Sequence, residues 1–172
     1  MFGAAPVLNS APQLNARAVS WKLSAPAVAA ALVILPVFVQ APWVRSSPLA
    51  CALFTAVLVA LGLRLRGELG ALLIGFSGSW LAGAIFWGWL RLHPLWHLPV
   101  EAFALPLAIA GLQGPWRRAG QFYLGALIGT ACTDAATALC GLMPLWPSVL
   151  QASPSEAPLL LSAAAEQVLQ PV

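Results

Sequence analysis

The chain has 172 residues, 60% of them hydrophobic and only 8% charged, and its mean hydropathy is +0.86. A soluble domain carries about 25% charged residues, so this composition cannot solvate a surface, and its apolar residues come in long runs. The net charge of +3 is scattered between those runs rather than gathered in a patch, which argues against nucleic-acid binding and for membrane topology signals.

In chain order, residues 1–22 are rich in Ala, Pro and Asn and are expected to form a flexible segment. Five apolar segments follow between residues 23 and 146, the expected transmembrane domain: Leu23–Val39, Pro48–Leu63, Leu69–Leu90, Leu98–Leu112 and Ala119–Met143. The second and fourth are short against the roughly 20 residues that a 30 Å hydrocarbon core requires. The fourth also contains Glu101, Pro99 and Pro106, so a kinked span and a re-entrant segment are both open for it. The first has a rival reading as a signal peptide cut at Val39-Gln40-Ala41, although its apolar stretch is long for one. Residues 147–172 form a Pro-, Ser- and Ala-rich tail, with a short amphipathic helix expected over Glu156–Gln170 at the interface. The fold class is therefore an all-α polytopic bundle of about five transmembrane helices.

The basic residues orient it. Arg17, Lys22, Arg64, Arg66, Arg117 and Arg118 fall on the side of the N-terminus, and only Arg45 and Arg91 on the other. Six against two places the N-terminus in the cytoplasm. Trp21 and Trp116 then fall at the inner boundary, and Trp43, Trp89, Trp96 and Trp146 at the outer one. Cys132 and Cys140 sit on one predicted helix, roughly 12 Å apart by helical rise, too far for a disulfide. With Cys51, all three are read as buried free thiols.

Small residues recur at four-residue spacing in two spans. Gly75, Ser79 and Gly83 do so in the third, with Gly78 beside them; Gly125, Gly129, Thr133, Thr137 and Gly141 do so in the fifth. Such stripes let backbones approach where lipid removes the hydrophobic drive. They are read as packing within the chain, and they imply no cofactor. The carboxylates are more telling. Asp134, about 22 Å along the fifth span, and Glu101, near the outer end of the fourth, reach a similar depth. Charges there should face the bundle interior, a watery pocket or a basic partner.

Arg91, His93 and His97 precede Glu101 in the third outer loop. A helix starting at Pro94 would align His93, His97 and Glu101 on one face, able with Asp134 to bind a cation or relay a proton. The bland alternative has the histidines bonding headgroups, and the carboxylates pairing with Arg91, Thr130 or Thr137 to fix helix positions. Signatures of nucleotide-driven or hydrolytic enzymes are missing: there is no GxxxxGK[ST], HExxH or GxSxG.

The stretches LPVFVQAPWVRSSP (Leu35–Pro48), GFSGSWLAGAIFWGWLRLHPLWHLPVEAFALPLAIAGL (Gly75–Leu112) and FYLGALIGTACTDA (Phe122–Ala135) resemble a known family. They are similar to small multi-span cyanobacterial membrane proteins catalogued only as a domain of unknown function, over roughly residues 25–146. The resemblance implies a thylakoid or plasma membrane, aligns Glu101 and Asp134 with the family's motifs, and supplies no activity or cofactor. Three functional readings stand after it, the first of them leading. One is a non-enzymatic accessory or assembly factor for another membrane complex. Another is a small proton- or cation-coupled transporter using the intramembrane carboxylates. A membrane-embedded metal or redox enzyme is a third.

Overall fold

The computed structural model describes residues 24–65 and 67–169. The N-terminal segment expected to be flexible, with Arg17, Trp21 and Lys22, lies outside these residues, as does Arg66. Every regular element among the described residues is helical, so the chain is all-α.

Helix α1 runs over Ala25–Ser46. Ser24 starts it, its side chain accepting from the Ala27 amide at 3.4 Å. Within this helix Pro36 and Pro42 each lack an amide, and the turn widens over Pro36–Gln40, where the Ala41 amide donates to the Pro36 carbonyl. The helix continues past Val39, so Arg45 stands in its last turn rather than in a loop. Ser47 is pushed out of helical geometry by the following Pro48, with φ −149° and ψ 72°. Pro48 then opens α2 (Pro48–Arg64). Gly67, with φ +84°, makes the turn into α3 (Glu68–Leu90) at a conformation that an L side chain resists.

The fourth apolar segment is not one helix. After a 3-10 turn at Pro94–Trp96, α4 covers only His97–Glu101 and α5 only Leu105–Gly111. The Pro106 ring would collide with the Ala102 carbonyl of a continuous helix, and that carbonyl instead accepts from Leu105 at 3.0 Å. Helix α6 is unbroken over Arg117–Leu139. It ends on Gly141, whose φ of +68° lets the Leu142 amide reach the Thr137 carbonyl at 2.9 Å. Gly141 therefore caps the helix and is no part of a packing stripe. A 3-10 turn at Met143–Leu145, α7 (Trp146–Gln151) and α8 (Ala157–Leu169) complete the chain. Ser153 and Glu156 form a capping box in front of α8: the Glu156 carboxylate accepts from the Ser153 amide at 3.1 Å and hydroxyl at 2.8 Å. These bonds hold the Glu156 carboxyl below the ordinary carboxylate range.

Three helices, α1, α3 and α6, are long and apolar enough to cross a membrane. Helix α2 is apolar but shorter, and the α4–α5 segment is broken. Arg64, Arg117 and Arg118 share one end of the bundle with Glu68, which pairs with Arg118 at 3.2 Å; Arg45 and Arg91 mark the other.

The core forms around α3, 61% of whose apolar window is buried, against 17% for α1 and 6% for α6. Phe76, Trp80 and Phe86 of α3 are among the largest fully buried side chains. Trp43 and Phe54 pack on Trp80 with ring centroids 6.0 and 5.5 Å away. Trp43 thus belongs to the core and not to an interfacial belt. Two buried hydrogen bonds lock the three helices together. Gln40 Nε2 donates to the Trp80 carbonyl at 2.5 Å, and Trp80 Nε1 donates to the Cys51 carbonyl at 2.9 Å. Gly83 makes room for the Gln40 amide, whose oxygen would lie 3.0 Å from any Cβ there. Of the cysteines, all free, only Cys51 is buried; Cys132 is exposed and Cys140 half-buried.

The two small-residue stripes part company. Gly75 abuts the Ala119 backbone and Gly78 the Tyr123 ring, so the third-span stripe packs on α6 there and, through Gly83, on α1, and Ser79 is half-buried. Gly125 and Gly129 have nothing within 4 Å of a Cβ, and Thr133 is exposed, bonding back to the Gly129 carbonyl at 2.9 Å. The fifth-span stripe therefore packs on nothing within the described residues. Helix α6 is buried only near its basic end, through Ala119, Gly120, Phe122 and Tyr123.

Candidate functional site

The break in the fourth segment creates the site. Residues 102–104 leave helical geometry, and backbone groups freed at membrane depth need partners. Tyr123, from the buried half of α6, supplies them. Its hydroxyl accepts from the Ala104 amide at 3.1 Å and donates to the Glu101 carbonyl. One side chain thus straps both edges of the break to α6. It is the single tyrosine in the chain, and its position one and a half turns inside a basic helix start was the only hint of this role in the sequence.

The strap sets α4 beside the far half of α6. There His97 Nδ1 meets Asp134 Oδ1 at 2.8 Å, and each side chain is 12% exposed. The pairing spans two helices, α4 and α6. Aromatic rings close over it: Phe86 lies 4.3 Å from the imidazole centroid, Trp146 5.9 Å and Trp87 6.0 Å. Trp146 stacks on Trp87 at 5.8 Å and 22°, and its indole donates to the Arg91 carbonyl at 2.7 Å. The tail thereby supplies one wall, and Trp146 acts as that wall rather than as a boundary anchor alone. Gln167 of α8 donates to the Gly141 carbonyl at 2.8 Å, folding the tail back over the end of α6.

Glu101 follows His97 by one helical turn, half-buried, and its carboxylate has neither hydrogen-bond nor ion-pair partner among the described residues. The other sequence candidates are not brought in. His93 precedes the 3-10 turn and is exposed, so His93, His97 and Glu101 do not share a helical face. The 3-10 turn at Pro94–Trp96 breaks the register that the spacing assumed. Arg91 turns to the Trp87 carbonyl at 3.5 Å and meets neither carboxylate. Thr137 bonds the Thr133 carbonyl at 2.8 Å instead of Asp134. Among the described residues no three His, Cys, Asp or Glu side chains gather as a metal site.

What remains is His97 paired with Asp134 beneath aromatic rings, with a second carboxylate, Glu101, one turn along α4.

No curated protein and no solved structure matches the chain. Residues 29–172 do match a family, described as protein of unknown function DUF3120. The match takes in every helix that builds the His97–Asp134 site and the tail that walls it. On that extent the chain belongs to the DUF3120 family.

Proposed function

We propose that this membrane protein is a small proton-coupled transporter whose working groups are His97, Asp134 and Glu101. The observation that carries the reading is the His97–Asp134 pair, 2.8 Å long and 12% exposed on both sides, with Asp134 on α6, a helix long and apolar enough to cross a membrane. Ionisable groups at membrane depth are expensive and mark ion pathways more often than they mark scaffolding. A structural pair needs no third acid; Glu101, unpartnered one turn away, gives the pair somewhere to pass a proton.

The test is flux. Purified protein in vesicles loaded with a pH-sensitive dye should dissipate an imposed proton gradient, alone or with added alkali cations. Glu101→Gln combined with Asp134→Asn should abolish the flux. Flux equal to that of empty vesicles, or a double variant as active as wild type, overturns the proposal.

A second reading, an accessory factor that binds another membrane complex, is favoured by α6. It is the least hydrophobic of the three long helices, with mean hydropathy 1.2 against 1.7 and 2.1, and also the least buried. Lipid selects the opposite relation, because a face of glycine, threonine and cysteine makes poor contact with acyl chains. Migration in mild detergent as part of a larger assembly supports this reading, and migration as a bare 18 kDa chain counts against it.

A further inference from the structure

A cleft bordered by Phe103, Ala104 and Tyr123 contains neither His97 nor Asp134 and has no role in the readings above. It is about 590 Å³ in volume and lies between α2, α3, α5 and the start of α6. Its walls are apolar, with Val59, Leu81, Leu107 and Ala110 among them, and it exists because α5 is held off α3 by the break at 102–104. At the basic end it meets a second hollow of about 480 Å³, lined by Leu63, Glu68, Pro115 and Arg118. Trp116 lines both.

The two hollows follow α3 from Glu68 to Leu81. At helical rise this is about 20 Å, from the basic rim to beyond the middle of a 30 Å core. A single flexible hydrocarbon chain fits.

The rim specifies the head of that chain. Arg118 and Glu68 line the second hollow, and Arg64 and Arg117, sequence neighbours of its lining residues, are exposed as those two are. The Arg118–Glu68 pair is more than half exposed on each side, at 58% and 57%, so it is weak and exchangeable. Cationic rims beside apolar crevices between helices select anionic lipid headgroups, and Trp116 sits at the level where an indole favours the headgroup boundary.

We infer that this cleft is a binding site for one anionic glycerolipid, its acyl chain between α3 and α5 and its headgroup on Arg117 and Arg118. The site shares no residue with the His97–Asp134 pair, although Phe103, Ala104 and Tyr123 of the strap line its wall.

Delipidated full-length protein offered equal amounts of dioleoyl phosphatidylglycerol and dioleoyl phosphatidylcholine, and weighed intact by native mass spectrometry, tests it. One phosphatidylglycerol should be retained, with a preference of about thirtyfold for two cationic contacts. Arg117→Gln with Arg118→Gln should erase the preference but leave a chain bound. Ala110→Phe, which fills the cleft from an exposed position, should expel both lipids. Val59→Phe fills it from the facing helix, and decides the matter if Ala110→Phe alters thermal unfolding. Equal retention of the two lipids overturns the headgroup assignment, and retention unchanged in a folded cleft-filling variant overturns the site.

Discussion

Replacing Tyr123 with phenylalanine isolates the strap across the break in the fourth segment. The ring remains, so its packing against Gly78 and its edge contact with Phe103, at 6.5 Å, are kept. Only the hydroxyl is lost, and with it the bond from the Ala104 amide and the bond to the Glu101 carbonyl. Both groups are then left without this partner in a part-buried position. Each unsatisfied buried group costs about 1–3 kcal/mol, the amide more than the carbonyl. The expected destabilisation is therefore about 2–4 kcal/mol, against about 1 kcal/mol for an ordinary single hydrogen bond.

Reversible unfolding in mixed micelles, followed by tryptophan fluorescence, gives the number. His97 and Asp134 should also lose their fixed separation, because the break positions α4 against α6. A loss below about 0.5 kcal/mol would mean that the freed backbone groups find other partners, which refutes the strap.

Three more outcomes follow from the same geometry. Gln40→Leu should destabilise the bundle by about 1–3 kcal/mol in the same unfolding assay, since it removes the buried amide that joins α1 to the Trp80 carbonyl of α3. Asp134→Ala should cost more than Asp134→Asn, because the amide of asparagine still accepts from His97 across 2.8 Å; equal losses would show that the bond contributes nothing. For α8, the Glu156 carboxyl is held low in the folded chain, so its contribution is present above the ordinary glutamate value of about 4.3 and lost as pH falls through the lower folded value. Amide exchange in α8 should therefore accelerate at acid pH in wild type, and Glu156→Gln should remove most of that dependence.

The helical class and the starts of α2 and α3 could be read from the chain alone, whereas the first and fifth spans, expected to end at Val39 and Met143, end at Ser46 and Leu139. Hydropathy over a long run is a local sum, and the prolines and glycines at Pro48, Pro106 and Gly141 act on their own backbone within a turn. What local properties could not supply was the rotation of each helix about its axis. In lipid both faces of a helix are apolar, so no polar stripe marks the side turned inward. Hence the packing stripe of the third span was legible and real, while its apparent twin in the fifth span faces outward. Hence too Glu101 and Asp134 could be singled out by their cost in a membrane, but not their partners. Only the fold decided that Asp134 meets His97 and not Arg91, and that Tyr123 holds the break open. A pairing across 37 positions is set by where two helices cross, and that crossing is a property of the whole packed bundle.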